Sequence, residues 1–199
     1  MGDGMGKGTI TRERILAESL TVFSTYGYEG ARVDTIAAQV GINKASLYFH
    51  FKSKEEIFRE LFENITEKYR SNIKRIINIT KDYPTKERLT AIYRDYMNYD
   101  WNNTEIDFWN HVYYCPPAMM KQEIHKKTFE IEEEFLKQLI QVFDEGITKK
   151  EIRCMQAEKP AKLFYFMLMG VSISVMNITQ NYNDMEHCFE LFWEGIKSN

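Results

Sequence analysis

The chain has 199 residues, 44% of them hydrophobic and 28% charged, with a formal net charge of −3. This balance suits a globular chain and excludes a disordered, collagen-like or membrane-embedded one. Its longest apolar candidate, 163–175, falls short of the ~18 residues of a membrane span and is interrupted by Gly170, Ser172 and Ser174.

The glycine-rich opening, residues 1–8, is expected to be disordered and carries no secretion signal, so the cytoplasm is the expected location. Thr11 suits the N-cap of a first helix in which Ile15, Leu16, Ser19, Leu20 and Phe23 recur at helical spacing, ending near Tyr26-Gly27. Val33, Ile36, Ala37 and Val40 mark the inner face of a second helix. Gly41 then suits the left-handed position that ends it, since only glycine reaches that position without a Cβ clash. Asn43 suits the N-cap of a short third helix carrying Lys44, Ser46, Tyr48 and His50. Two short helices joined by such a turn read as a helix-turn-helix. Ser53 and Glu56 have the spacing of a capping box and open a long helix. Its apolar face, from Ile57 through Leu61, Ile65 and Ile73 to Ile77, continues to about Thr80. It is the one predicted element able to touch both halves of the chain.

The run Thr-Ile-Ala-Ala-Gln-Val-Gly-Ile-Asn-Lys-Ala, followed by Ser-Leu-Tyr-Phe-His-Phe-Lys-Ser-Lys-Glu-Glu-Ile-Phe up to Phe58, resembles the operator-binding signature of the TetR family of one-component transcriptional regulators. The resemblance covers roughly residues 10–58 and is specific because the motif is long. It implies an all-α fold: a three-helix helix-turn-helix DNA-binding domain over 1–53, then a helical ligand-binding and dimerisation domain over 54–199 with 54–80 as connector. DNA contacts are expected from Arg32, Asn43, Lys44, Ala45, Ser46, Tyr48, Phe49, His50 and Lys54. The family usually places Thr or Ser just before the second helix. Here Ala31, Arg32 and Val33 stand instead, which makes Arg32 the substitute for a backbone contact. Residues 1–80 carry 12 Lys/Arg against 10 Asp/Glu, and residues 81–199 carry 14 against 19. The DNA reading therefore rests on where the cations lie, not on a basic bulk.

Tyr83-Pro84 breaks the long helix, and Thr85 suits the cap of the next, from Lys86 to about Tyr99. Further helices are expected over 104–114, 117–145, 160–180 and 184–197. Thr104, Pro117, Pro160 and an Asn183/Glu186 capping box serve as starts, and Gly146 as a stop.

Large adaptable side chains gather in this part, and an effector pocket is expected from Tyr93, Tyr96, Met97, Trp101, Phe108 and Trp109, with His111, Tyr113, Phe166, Met167 and Met169. Ordinary core packing is the competing reading for each of them singly. Leu163, Phe164, Gly170 and Ser174, with Phe189, Phe192, Trp193 and Ile196, suit the two-helix half of a symmetric interface. A two-fold dimer is what a helix-turn-helix needs to match a palindromic site.

Three cysteines, Cys115, Cys154 and Cys188, are odd in number and widely spaced, which argues against a disulfide framework. His111 and Cys115 lie four apart, but no Cys-x-x-Cys or His-x-x-x-His is present, so no metal site is expected. No hydrolase elbow, phosphate loop or dinucleotide fingerprint occurs, so neither a cofactor nor an enzyme activity is expected. The function expected is a repressor released from double-stranded operator DNA by a small apolar or aromatic effector, acting as a homodimer away from membranes. The alternative is a helical ligand-binding or enzymatic protein whose N-terminal helices are only structural.

Overall fold

The structure, a computed structural model, describes residues 3–97, 103–177 and 182–198. Among them run α1 (Asp3–Gly30), α2 (Val33–Val40), α3 (Lys44–His50), α4 (Lys54–Ile79), α5 (Thr85–Met97), α6 (Asn103–Tyr114), a 3-10 turn (Ala118–Met120), α7 (Lys121–Thr148), α8 (Glu158–Asn177) and α9 (Tyr182–Ile196). The only strand-like pairing described is an isolated bridge between Ile152 and Lys197. The fold is all-α, and no described helix is long and apolar enough to cross a membrane.

Several ends differ from the sequence reading. The start of α1 lies at Asp3, so Thr11 sits inside a helix and most of the opening expected to be disordered is helical. Thr11 is only a favourable cap, and no proline lies upstream to stop the backbone ladder from continuing. The break falls at Gly27, whose φ of 64° and ψ of 178° interrupt the helix where sequence placed its end. Thr85 is the first residue of α5, and the carboxylate of Glu151 accepts from its backbone N–H at 2.7 Å. That charged acceptor at a helix start does what the Thr85 side chain was expected to do. Asn183 lies one residue inside α9 instead of capping it.

Gly146 does not stop α7. It is a buried close-packing position, where a Cβ would stand 2.7 Å from Thr85 Cγ2 and 2.9 Å from Ile152 Cδ1. The chain turns instead at Lys150, in the left-handed region at φ 60°.

The described chain forms two compact units. The first comprises Met1–Tyr69 and Trp101–Thr128, so α6 and the start of α7 belong with α1–α3 and do not follow a division at residue 53. Its core is aromatic at the centre: Phe58 meets Phe23 edge-on at 5.2 Å and Phe108 at 5.3 Å, surrounded by Ile15, Ile36, Leu47 and Val112. The second unit comprises Arg70–Asp100 and Phe129–Asn199. There Phe164 is the hub, with Phe192 at 5.4 Å, Phe143 at 5.9 Å and Tyr93 and Phe189 at 6.3 Å. Both α4 and α7 run through the boundary, at Tyr69/Arg70 and at Thr128/Phe129, so the long connector has a second helix as its companion.

Candidate nucleic-acid interface

The seven residues of α3 are held by very little. Only Leu47 is buried, while Lys44, Ala45, Ser46, Tyr48 and Phe49 are exposed. Phe49 is 86% exposed, a large apolar surface left in water with no packing role. The helix is fixed at its ends. Gly41, at φ 77°, closes α2 with its N–H on the carbonyl of Ala38 at 3.1 Å. The Asn43 side chain accepts from the Ser46 N–H at 2.8 Å, as its position in the sequence implies. Phe51, fully buried, pins the far end. Anchored by Leu47, Phe51 and an N-cap, α3 offers almost its whole surface outward.

The cations around it fall into two groups. Arg12 pairs with Glu60 and stacks over the Phe51 ring at 4.5 Å, and Arg14 donates to the Val40 carbonyl at 2.9 Å. Both are committed to holding α1 against its neighbours. Lys44 and Arg32 are exposed. Lys44 meets Asp34 at 3.0 Å, a solvent-facing pair that costs little to break when a phosphate or base edge offers better.

Lys54 belongs to both groups. Its ammonium donates to the carbonyls of Tyr28 at 2.6 Å and Ala31 at 3.1 Å and lies over the Tyr28 ring at 4.3 Å. It ties the start of α4 to the chain entering α2. The Ser53 hydroxyl accepts from the Glu56 N–H at 3.1 Å, and the Glu56 carboxylate accepts from Lys52 N–H at 2.6 Å, a capping box shifted by one residue on its return arm. His50 is half-buried at the end of α3, with its ring edge-on to Phe49 at 5.4 Å. Of the nine sequence-derived DNA candidates, Arg32 precedes α2, Asn43 lies in the α2–α3 turn, Lys54 opens α4 and the other six lie on α3; all but His50 and Lys54 are exposed.

The residues expected to form an effector pocket divide between the units. Phe108 is buried in the core of the first unit, Trp109 leans on Tyr69 at 6.1 Å, and His111 and Tyr113 are exposed. Phe108 and Trp109 belong to the α6 surface that packs on α1 and α4. Tyr93, Tyr96, Met97, Phe166, Met167 and Met169 belong to the second unit, and Trp101 lies outside the described residues. Tyr93 is buried, and that burial pushes its phenol up to about 12. Phe166 is exposed.

The interface candidates also divide. Phe164, Phe189, Phe192, Trp193 and Ile196 are buried within the second unit itself. Sequence reasoning took them as half of a symmetric interface, but they form the second unit's own core. Leu163 and Gly170 are exposed, and the Ser174 side chain lies outside the described residues. The outward apolar residues that were not singled out are Phe166 in this role and Leu191. Their signal is the spacing of residues 163, 166 and 170 on α8, matched by 188, 191 and 195 on α9.

Comparison with known proteins agrees with this geometry. Residues 15–61 match the sequence model of bacterial regulatory proteins of the tetR family. Over 53 residues the chain is 45% identical to the biofilm operon icaADBC HTH-type negative transcriptional regulator IcaR of Staphylococcus epidermidis, a stretch covering 27% of this chain and 29% of that relative's length. Nearly the whole chain superposes on solved structures. One is a transcriptional regulator from Saccharomonospora viridis in complex with choline, with TM-score 0.76, 18% identity and coverage of 96% of this chain and 100% of the other. Another is a tetR-family regulator from Mesorhizobium loti, with TM-score 0.72, 17% identity and coverage of 96% and 98%. These low identities speak for the fold alone, and the family assignment rests on the N-terminal match. Residues 15–61 thus carry the N-terminal domain of bacterial regulatory proteins of the tetR family, set in a fold that solved regulators share along its length.

Proposed function

We propose that the protein is a transcriptional repressor that binds a palindromic operator as a homodimer and leaves it when a small effector occupies the second unit. The observation that carries this is α3: a capped helix whose every residue but Leu47 and His50 is exposed, Phe49 most of all. Such a helix gains nothing for its own fold by exposing an aromatic ring, whereas a major groove offers thymine methyls to it and base edges to Lys44 and Ser46. Arg32, Tyr48, His50 and Lys54 serve the phosphates, which position the helix without reading sequence.

The dimer reading is supported by the outward stripes of the second unit. Leu163 (57% exposed), Phe166 (64%) and Leu191 (75%) leave more apolar surface than a lone chain needs. Gly170 and Gly195, also exposed, let a partner backbone approach closely. Two-fold pairing through α8 and α9 buries both stripes and supplies the two reading helices that half-sites one DNA turn apart, ~34–36 Å, require.

Effector control is carried by α4 and α7 together. Within the first unit Arg59 pairs with Glu123 and Lys127 with Glu63 at 3.0 Å; within the second, Arg70 pairs with Glu134 at 3.0 Å. The effector must favour the arrangement that cannot bind DNA, since a ligand indifferent to the two shifts nothing. The test is selection of bound duplexes from a random pool by the purified protein. Recovery of a palindrome with half-sites one turn apart supports the reading, and a pool without enrichment overturns it.

A further inference from the structure

One carboxylate of the second unit lacks a counter-charge. Glu132 is half-buried on α7 between Ile131 and Phe135, and no described Lys, Arg or His forms an ion pair with it. The undescribed stretches 98–102 and 178–181 contain no cationic residue that could supply one. Its neighbours are different: Glu133 meets Lys137 at 3.5 Å and Glu134 meets Arg70 at 3.0 Å. The partner of Glu132 is the phenol of Tyr165 on α8, which donates to it. Burial holds the Glu132 carboxyl above its ordinary range, and the tyrosine bond offsets only part of that.

The surroundings are soft and aromatic. Tyr96 of α5 lies parallel to Phe135 at 6.1 Å, and Phe135 meets Tyr165 edge-on at 6.1 Å. The Tyr96 hydroxyl stands 3.7 Å from the Met169 sulfur. Three helices thus bring three rings, a thioether and one unneutralised carboxylate to a single place.

We propose that Glu132, Tyr165, Tyr96 and Phe135 form the centre of a binding site for an organic ammonium ion, and that this is the effector class of the regulator. The assignment of class rests on the effector-controlled reading above. Ring faces attract a cation within about 6 Å, and the attraction grows when water is excluded. A carboxylate beside them supplies the counter-charge, and the cation in turn satisfies the carboxylate. An anionic ligand would meet Glu132 with like charge. A neutral one would leave it half-buried without a counter-charge. A small metal ion would find too few oxygens here.

The test uses the full-length protein and two probes of the same shape, benzyltrimethylammonium and its uncharged carbon isostere neopentylbenzene. Titration calorimetry should show the cation binding at least about tenfold tighter, the scale of one charge-assisted contact. Glu132→Gln should remove that preference by a similar factor while circular dichroism stays unchanged, and Tyr96→Ala should weaken the cation as well. Equal or tighter binding of the neutral isostere, an unaltered cation affinity in Glu132→Gln, or binding of neither probe would overturn the site. DNA retention is measured separately. Cation binding that depends on Glu132 while the operator stays bound supports the site and removes only the induction reading.

Discussion

The ammonium of Lys54 lies 2.6 Å from the carbonyl oxygen of Tyr28 and 4.3 Å above the centroid of that residue's ring. One side chain therefore fastens the start of α4 to the chain between α1 and α2. Lys54→Met should lower the stability of the first unit by about 1.5–3 kcal/mol, as expected for a charge-assisted bond to backbone. DNA affinity should fall with it, and the salt dependence should flatten by about one unit if the ammonium also meets a phosphate. Thermal denaturation and binding at several salt concentrations separate the two roles. An unchanged melting temperature would rule out the clamp.

At the other end of the turn, Asn43→Ala removes the acceptor of the Ser46 N–H. The expected cost is about 1 kcal/mol. Asn43→Asp should restore it, because a carboxylate caps equally well. Lys44→Ala and Ser46→Ala should leave stability unaltered and relax base preference at one or two positions per half-site, by about 1–3 kcal/mol each. Denaturant titration and base-by-base operator substitution distinguish the capping residue from the reading residues.

Sequence reasoning served best where function is local. Gly41, Asn43, Ser53 and Glu56 act on residues a few positions away, so their roles could be read from spacing alone, and the structure keeps each of them. It served less well where a side chain's meaning depends on what packs against it. Phe108 and Tyr93 look alike as aromatic residues in the C-terminal three-fifths of the chain, yet one completes the first unit's core and the other the second's. The apolar run of α8 hid which face is inside, because Phe164 and Leu163 are equally apolar and adjacent. Glu132 was overlooked because a lone acid in a charged helix looks solvated until Tyr165 is placed beside it.

Gly146 is a sharper case of packing overriding local preference. Alanine is favoured over glycine inside a helix by about 1 kcal/mol. Here its Cβ would stand 2.7 Å from Thr85 Cγ2 and 2.9 Å from Ile152 Cδ1. Gly146→Ala should therefore destabilise by about 1–3 kcal/mol as overpacking does. A Cβ at Gly170 meets no heavy atom within 4 Å, so Gly170→Ala should leave the fold of the chain intact or slightly firmer. Denaturant titration that ranks the two substitutions the other way would remove the close-packing account.

Glu151 gives a pH dependence with a definite sign. The Thr85 hydroxyl and backbone N–H hold its carboxyl below the ordinary 4.5. A group lowered on folding contributes stability above its unfolded value and loses it as pH falls through the folded one. The stability difference between the native chain and Glu151→Gln should thus be constant near neutrality and shrink below about pH 4.5. Because this carboxylate is only part-buried, the difference should also be modest and reduced by salt. Urea titrations of both proteins between pH 7 and 3 read it directly, and a difference that grows on acidification would contradict the cap.

The outward stripes of α8 and α9 yield the most consequential prediction, because assembly and DNA binding are linked through them. Leu163 and Leu191 are more than half exposed, so replacing either with glutamate leaves the second unit's own core, centred on Phe164, untouched. In a two-fold dimer each substitution places like charges near the axis without counter-ions, which disfavours association strongly. Leu163→Glu and Leu191→Glu should therefore sediment as helical monomers with near-native melting at low concentration. Their affinity for a two-half-site operator should collapse toward that for a single half-site, since each α3 then binds alone. Phe164→Glu is the control with the opposite signature: it should unfold the second unit, because a charge would enter a fully buried site. Native sedimentation of both leucine variants, with operator binding intact, would move the interface off this face and require another partner for the exposed leucines.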